Sequence, residues 1–337
     1  MAAWAKSWAP ACAVLILSGA VAPSASARVG PHARPEAPST TDIEGLWTNA
    51  SYTRLQRPKK LKSLVMTPDE AKVYEATLTK YHGVPSNPMD HLGQNDSEFP
   101  DSGEGLAKIR GQLRTSWIVS PADGRVPYTA EAKARLHIGD PDFEESFDNP
   151  EDRPDGERCI SSNGDSPPQM SEQDANLVQI VRTKDHVAIY SEKNHEFRII
   201  PLTTVRTPNQ PPSWAGNSIG RFEGATLVVE TQGFRREVMD RDFFFHSGDA
   251  KVTERFTRTG PGELLYEFTV VDPKTFTQPL RGEELFRATK GPIYEYTCHE
   301  GNYSLPSIMK AARLGRQVKP PKKAPAAVAT AEAKPAP

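Results

Sequence analysis

The chain has 337 residues, with 41 basic and 43 acidic side chains, a net charge of −2 and an isoelectric point near 6.5. The basic residues do not form a stripe that a phosphate backbone could follow, so nucleic acid is excluded as an expected partner. Pro (31) outnumbers Gly (23) and the mean hydropathy is −0.57, which favours many short elements joined by turns over a few long helices.

The N terminus has the pattern of a secretory signal peptide at residues 1–27. Lys6 is the only charge before the apolar stretch at 9–22, and Ala25-Ser26-Ala27 supplies small residues for a signal peptidase. An uncleaved anchor is the alternative, but the apolar stretch is too short to span a bilayer. We therefore expect an exported protein, periplasmic or secreted, with no transmembrane segment after signal removal.

The rest of the chain divides by composition into three parts. Residues 28–41 are rich in Pro and Ala and predict a flexible leader. A single domain is predicted over residues 42–315, and a disordered Pro-, Ala- and Lys-rich tail over residues 316–337. The lysines of the tail suit contact with an anionic envelope surface; a simply solvated tail is the alternative.

The domain is predicted to open with a helix and irregular segments. Thr67, Pro68 and Glu70 have the spacing of an N-cap, a first helical residue and a capping box, and Gly83 ends the helix. Other predicted elements are a long loop at 84–105, a strand at 113–120, a turn at 122–125, a helix at 129–136 capped by Thr129, and an irregular acidic stretch at 140–155.

From residue 177 the pattern changes to short β-favouring runs separated by turn residues. Lys184-Asp185 and Lys193-Asn194 suit two-residue hairpin turns. Nine strands are predicted, at 177–183, 186–192, 195–201, 218–222, 226–232, 251–258, 264–272, 281–289 and 293–297. The sequence thus predicts a mainly β fold, an antiparallel meander closing into a barrel-like (lipocalin-like) or sandwich domain, with one or two short helices in the N-terminal half.

Two cysteines remain after signal removal, Cys159 and Cys298. An exported protein with an even cysteine count most simply pairs them. The closed loop would exceed a hundred residues, for which the chain-entropy model gives roughly 4–5 kcal/mol of stabilisation. The alternative is that Cys298 is a free thiol next to His299 as its base.

Strand alternation predicts charged side chains on apolar faces. Glu254 shares a face with Val252 and Phe256, Glu230 shares one with Val228, and Arg198 shares one with Ile200. A charge on such a face is costly unless it is paired, so Glu254, Glu230 and Arg198 are expected to meet inside the barrel. The cluster would either fix the strand register or serve a ligand-binding or acid–base role.

His299, Glu300 and His246 are further candidate catalytic residues. They could form a general acid–base pair, although residues 300–303 also suit a simple capped turn. No metal-binding spacing, phosphate loop or serine elbow occurs, so no metal and no organic cofactor are expected.

Two aromatic segments complete the candidates. Trp47 lies in Gly45-Leu46-Trp47, which is similar to the opening strand of lipocalin-type barrels; packing across a barrel end is the alternative. Trp214 and Phe244 are candidate ligand contacts, and residues 243–245 and 84–105 are candidate lids.

Several stretches taken together resemble a large family of exported bacterial proteins of unknown function. The stretches are GLWTNAS (45–51), ERC (157–159), WAGNSIGRFEG (214–224), TERFTR (253–258), YEFTV (266–270) and YTCHEGNY (296–303). The resemblance implies export, the Cys159–Cys298 pairing and a β-rich domain, but no reaction. The family usually has Asp where this chain has Asn217 and Ala225, so neither position is a candidate acid here.

Three functions remain open from the sequence. The first is a β-barrel protein that binds a small, partly apolar molecule, with Arg198, Glu230, Arg255, Trp214 and Phe244 as contacts. The second is a cofactor-independent hydrolase, lyase or isomerase with Glu254 or His299 as general base and Arg255 or Arg198 steadying negative charge. The third is an envelope-associated scaffold without a pocket. The oligomeric state is not predicted.

Overall fold

The computed structural model describes residues 42–82, 103, 105–135, 149–150, 153, 156–160, 167–170, 175–235, 238–239 and 244–318. The predicted signal peptide, the leader, the tail beyond residue 318, and most of the predicted irregular segments at 84–105 and 140–155 lie outside these residues. No helix in the described ranges is long and apolar enough to cross a membrane.

The described residues form fifteen strands and four α-helices. The strands are β1 (Gly45–Thr48), β2 (Val65–Met66), β3 (Lys108–Ile109), β4 (Gln112–Arg114), β5 (Ile118–Ser120), β6 (Leu177–Arg182), β7 (His186–Ser191), β8 (Phe197–Pro201), β9 (Asn217–Glu223), β10 (Thr226–Gln232), β11 (Val238–Met239), β12 (Phe245–His246), β13 (Lys251–Gly260), β14 (Glu263–Val271) and β15 (Leu280–Ala288). The helices are α1 (Pro68–His82), α2 (Ala130–Arg135), α3 (Cys298–Gly301) and α4 (Ser304–Val318).

Nine strands form one antiparallel sheet that curls nearly into a barrel. Their order is β8-β7-β6-β1-β15-β14-β13-β10-β9, and β5 pairs with β15 beside this path. The N-terminal strand β1 pairs with β6 on one side and with β15 on the other. It therefore joins the β6–β7–β8 meander to the strands that follow residue 217, and the predicted mainly β, barrel-like fold is confirmed.

The two end strands of the order, β8 and β9, approach each other at one point. A parallel bridge pairs Leu202 with Gly220, and the Thr203 N–H donates to the Gly220 carbonyl at 2.9 Å. A Cβ at Gly220 would lie 3.0 Å from Ile200 Cγ2, so glycine permits this close approach. The barrel is thus closed by a bridge rather than by a continuous ladder.

Inward-facing side chains from the strands form the main hydrophobic core. Trp47 is 1% exposed and donates its indole N–H to the Ile43 carbonyl at 3.1 Å. Trp47 therefore packs in the core of the barrel, which is the alternative that the sequence left open for it. Other core members are Val178, Ile180, Val187, Ile189, Ile200, Leu227, Val229, Val252, Phe256, Leu264, Tyr266, Phe268, Leu280 and Phe286.

Eight of the nine strands predicted from residue 177 onward are confirmed, with ends within two residues of those predicted. The ninth, at 293–297, is wrong. The Tyr294 N–H donates to Glu192 Oε1 at 2.7 Å and the Tyr296 N–H donates to His195 Nε2 at 2.5 Å. Because side chains take these backbone donors, the segment forms no ladder, and β1 supplies the ninth strand of the barrel.

Two further predictions need correction. The strand predicted at 113–120 is split into β4 and β5, because the Thr115 N–H donates to the Leu64 carbonyl whereas the Trp117 N–H donates to the Arg54 carbonyl. The backbone therefore changes partners in mid-segment. The two-residue turn predicted at Lys193-Asn194 is instead a 3₁₀ turn over Lys193–His195.

Helices α1 and α2 begin at the capping residues that the sequence predicts. Thr67 and Glu70 form the predicted capping box at α1, with the Thr67 N–H donating to Glu70 Oε2 at 2.8 Å, and Thr129 caps α2 through the Ala132 N–H. Helix α4 was not predicted. Asn302 Oδ1 caps it by accepting the Leu305 N–H at 3.3 Å, and Met309, 5% exposed, packs its inner side.

Candidate functional site

A buried ion pair spans the barrel interior and joins two of the three charged side chains that alternation predicted to meet there. Arg198 of β8 donates to Glu254 of β13 through Nη1 to Oε1 at 3.1 Å and through Nη2 to Oε2 at 2.5 Å. The side chains are 3% and 0% exposed. Burial alone lowers the pKa of Arg198, but the charge of Glu254 more than offsets this, so the pKa is raised and the guanidinium stays charged.

A chain of hydrogen bonds extends from this ion pair. The Tyr266 hydroxyl donates to Glu254 Oε1 at 3.0 Å and accepts the Gln169 N–H at 2.8 Å. The Gln169 side-chain amide donates to Ser191 Oγ at 2.9 Å. Burial, followed by the charge of Glu254, raises the pKa of Tyr266 well above its usual value. These hydrogen bonds pair most of the polar groups at the barrel centre with one another, which offsets part of their desolvation cost. Within the described residues, Arg198 Nε makes no hydrogen bond.

Glu284 is a second interior carboxylate that the sequence analysis missed. It is 0% exposed, lies opposite Tyr266 in the β14–β15 register, and accepts a hydrogen bond from Asn49 Nδ2 at 3.2 Å. Its alternation with Leu280, Gly282 and Phe286 is the same signal that identified Glu254. Applying that rule to β15 would have found it.

The predicted disulfide is present. The Cys159 and Cys298 sulfur atoms lie 2.07 Å apart and link residues separated by 139 positions. Asn302 Nδ2 donates to the Glu157 carbonyl at 2.7 Å and approaches Cys159 Sγ at 3.4 Å. The bond therefore ties the segment after β15 to the segment around residue 158, and Cys298 is no free thiol.

A cleft of about 190 Å³ lies beside this disulfide. Cys298, His299 and Glu300 belong to α3, and Asn194 and His195 belong to the 3₁₀ turn between β7 and β8. The full lining comprises Cys159, Asn194, His195, Glu295, Tyr296, Thr297, Cys298, His299 and Glu300. A second cleft, of about 70 Å³, lies on the outer surface of β13, β14 and β15.

His195 positions one wall of the disulfide cleft. Its Nε2 accepts the backbone N–H of Tyr296, and its own backbone has a left-handed φ of 54°. Lys193 Nζ lies 5.0 Å from the centroid of the Tyr296 ring. His195 was not predicted as a site residue because the residue pattern places it at the start of a strand. The neighbouring Asn194, a residue type that tolerates positive φ, was the local signal of a turn.

His299 and Glu300 line the cleft as exposed side chains. Glu254, the other candidate general base, does not line this cleft, because its carboxylate is fully buried between Arg198 and Tyr266. His246 does not line the cleft either and lies among buried aromatic side chains. It is 1% exposed, its ring centroid lies 4.4 Å from that of Phe234, and burial lowers its pKa.

The remaining candidates do not join a common site. Glu230 lies on the outer face of β10 and pairs with Arg221 at 2.7 Å, so its predicted place inside the barrel is wrong. Arg255 pairs with Glu223 at 3.0 Å on the outer face. Phe244 is 3% exposed and part of the core, so it cannot act as an open lid. Trp214 stacks on Arg235, whose Cζ lies 5.4 Å from the ring.

Comparisons of the chain with protein-family models, with curated proteins and with solved structures found no match. The geometry of the site therefore carries the functional argument.

Proposed function

We propose that this chain is an exported binding protein that holds a small, partly apolar amine in the disulfide cleft. The observation that carries the proposal is the cleft itself, because it combines open volume with convergent polar groups. The barrel interior, in contrast, is filled by apolar side chains and by polar groups that already pair with one another. The disulfide supports an oxidising compartment outside the cytoplasm.

The lining favours a positively charged ligand. Glu295 and Glu300 contribute two carboxylates. The Tyr296 ring already makes a cation–π contact with the Lys193 ammonium group. A ligand ammonium would take the place of Lys193 over that ring. The ring itself and the two sulfur atoms offer apolar contact for a short carbon chain.

The volume limits the size of the ligand. The cleft offers about 190 Å³. This is smaller than the ~300–1,000 Å³ pockets that hold drug-sized molecules. A molecule the size of a short alkyl amine fits this cleft.

Binding is favoured over catalysis because the two candidate general bases, Glu254 and His299, lie in separate environments. Glu254 is held by Arg198 inside the barrel, whereas His299 lies exposed in the cleft. A general base must reach its partner within hydrogen-bonding distance.

Isothermal titration calorimetry with butylamine, butyrate and butanol tests the proposal. We expect butylamine to bind and the other two not to bind. The double variant Glu295→Gln/Glu300→Gln should weaken butylamine binding roughly tenfold, since each exposed charge pair contributes up to ~1 kcal/mol. The matched control, Glu131→Gln/Glu263→Gln, removes two exposed carboxylates from α2 and β14 and should leave binding unchanged. Equal binding of butylamine and butyrate, or no binding of any of the three, would contradict the proposal; no binding would favour a scaffold.

A further inference from the structure

The C-terminal part of the chain has a charge pattern unlike the rest. Residues 301–331 contain no Asp or Glu but carry six cations, whereas the whole chain has a net charge of −2. The six are Lys310, Arg313, Arg316, Lys319, Lys322 and Lys323. A concentration of one sign of charge indicates an anionic partner.

Helix α4 presents part of this charge on an outward face. Met309 packs inward at 5% exposure, while Lys310 and Arg313 are exposed on the other side. Among the described residues, neither Lys310 nor Arg313 forms an ion pair with a carboxylate. These two cations therefore remain available to an external partner.

Apolar and aromatic groups accompany the cations. Leu314 is 51% exposed and lies one turn from Lys310, and Tyr303, just before the helix, is 80% exposed. An amphipathic helix with basic and apolar groups on its exposed side, together with an interfacial aromatic residue, is typical of helices that lie at a bilayer surface. Leu314 and Tyr303 would contribute little to the binding of a nucleic acid through its phosphate backbone.

We propose that the exposed face of α4 binds the surface of an anionic phospholipid bilayer. Lys310 and Arg313 contact lipid phosphates, and Leu314 inserts at the acyl boundary. Near an anionic surface each cation contributes about fivefold in affinity. Loss of two cations on α4 should then weaken binding by about 25-fold, and reversal of their charge by more.

The test is co-sedimentation of the exported, full-length mature protein with vesicles. One set contains phosphatidylcholine alone, and the other contains phosphatidylcholine with 30% phosphatidylglycerol. We expect binding only to the second set, loss of that binding in 0.5 M NaCl, and at least a 25-fold weaker affinity for Lys310→Glu/Arg313→Glu. The control Lys59→Glu/Lys60→Glu reverses two exposed lysines elsewhere and should bind like the wild type.

Circular dichroism first establishes that both double variants retain the β-rich fold. Equal binding to both kinds of vesicle, an equal loss in the control variant, or no sedimentation with either kind would overturn the proposal. Salt-sensitive binding to a DNA oligonucleotide without binding to vesicles would also overturn it, because the partner would then be a nucleic acid.

Discussion

Arg198 and Glu254 meet across the barrel interior although β7, β6, β1, β15 and β14 stand between their strands in the sheet order. Only a sheet curled on itself brings β8 and β13 face to face. The ion pair is therefore a direct consequence of barrel closure, and it is sensitive both to the loss of either charge and to opening of the barrel at the Leu202–Gly220 bridge.

Glu254→Gln should destabilise the fold by about 3–5 kcal/mol, because it leaves the Arg198 guanidinium buried without its countercharge. Urea denaturation measures the change. The control Glu263→Gln alters an exposed carboxylate and should cost less than about 0.5 kcal/mol. A loss below about 1 kcal/mol for Glu254→Gln would mean that the two side chains do not pair inside the folded protein.

The pKa of Tyr266 predicts a loss of stability in alkali. The phenol ionises near its usual pKa of 10 when the chain is unfolded, whereas burial keeps it protonated in the folded state to much higher pH. Its contribution to stability is therefore complete below pH 10 and is lost as pH rises further. Urea unfolding from pH 8 to pH 11 should show a steeper fall for the wild type than for Tyr266→Phe. Parallel curves would contradict the buried position of the hydroxyl.

Gly282 on β15 lies beneath the ring of Phe268. A Cβ at Gly282 would come within 2.1 Å of Phe268 Cζ, which no side chain tolerates without movement. Gly282→Ala should therefore destabilise the protein by about 1–3 kcal/mol. At Gly262 the nearest atom would be Ala288 Cβ at 3.8 Å, so Gly262→Ala serves as the control and should be close to neutral. Thermal unfolding of the two variants decides the matter; a more harmful change at Gly262 would contradict this packing.

Removal of the disulfide between Cys159 and Cys298 should lower the stability of the fold. Cys159→Ser/Cys298→Ser releases a loop of 139 residues, which the chain-entropy model values at about 4–5 kcal/mol. Urea denaturation of the double variant, compared with the wild type under oxidising and reducing conditions, measures this. The reduced wild type should match the variant. A variant as stable as the oxidised wild type would mean that the bond contributes nothing to the fold.

Local periodicity was sufficient to predict most of the sheet but not its closure. Alternation located eight strands and put Glu254 and Arg198 inside, because each sits between residues that are buried on one face. It failed for Glu230, since Leu227, Val228 and Val229 are consecutive and all buried, so both faces of β10 carry apolar side chains. Pattern alone cannot choose between two such faces.

The remaining errors involve partners that are distant in sequence. The 293–297 segment has strand-like composition, yet Glu192 and His195 take its backbone donors about a hundred positions away. Strand β1 fills the gap between β6 and β15 from the opposite end of the chain. The disulfide cleft, assembled from α3 and the β7–β8 turn, is likewise invisible to a local pattern.

Backbone amide NMR of ¹⁵N-labelled protein titrated with butylamine tests the central claim most directly. We expect the amide signals of Glu295, Tyr296, His299 and Glu300 to shift together and saturably, while those of the barrel interior, such as Glu254 and Tyr266, stay unchanged. Shifts confined to the barrel interior, or no saturable shift at the four cleft residues, would contradict the assignment of the disulfide cleft as the binding site.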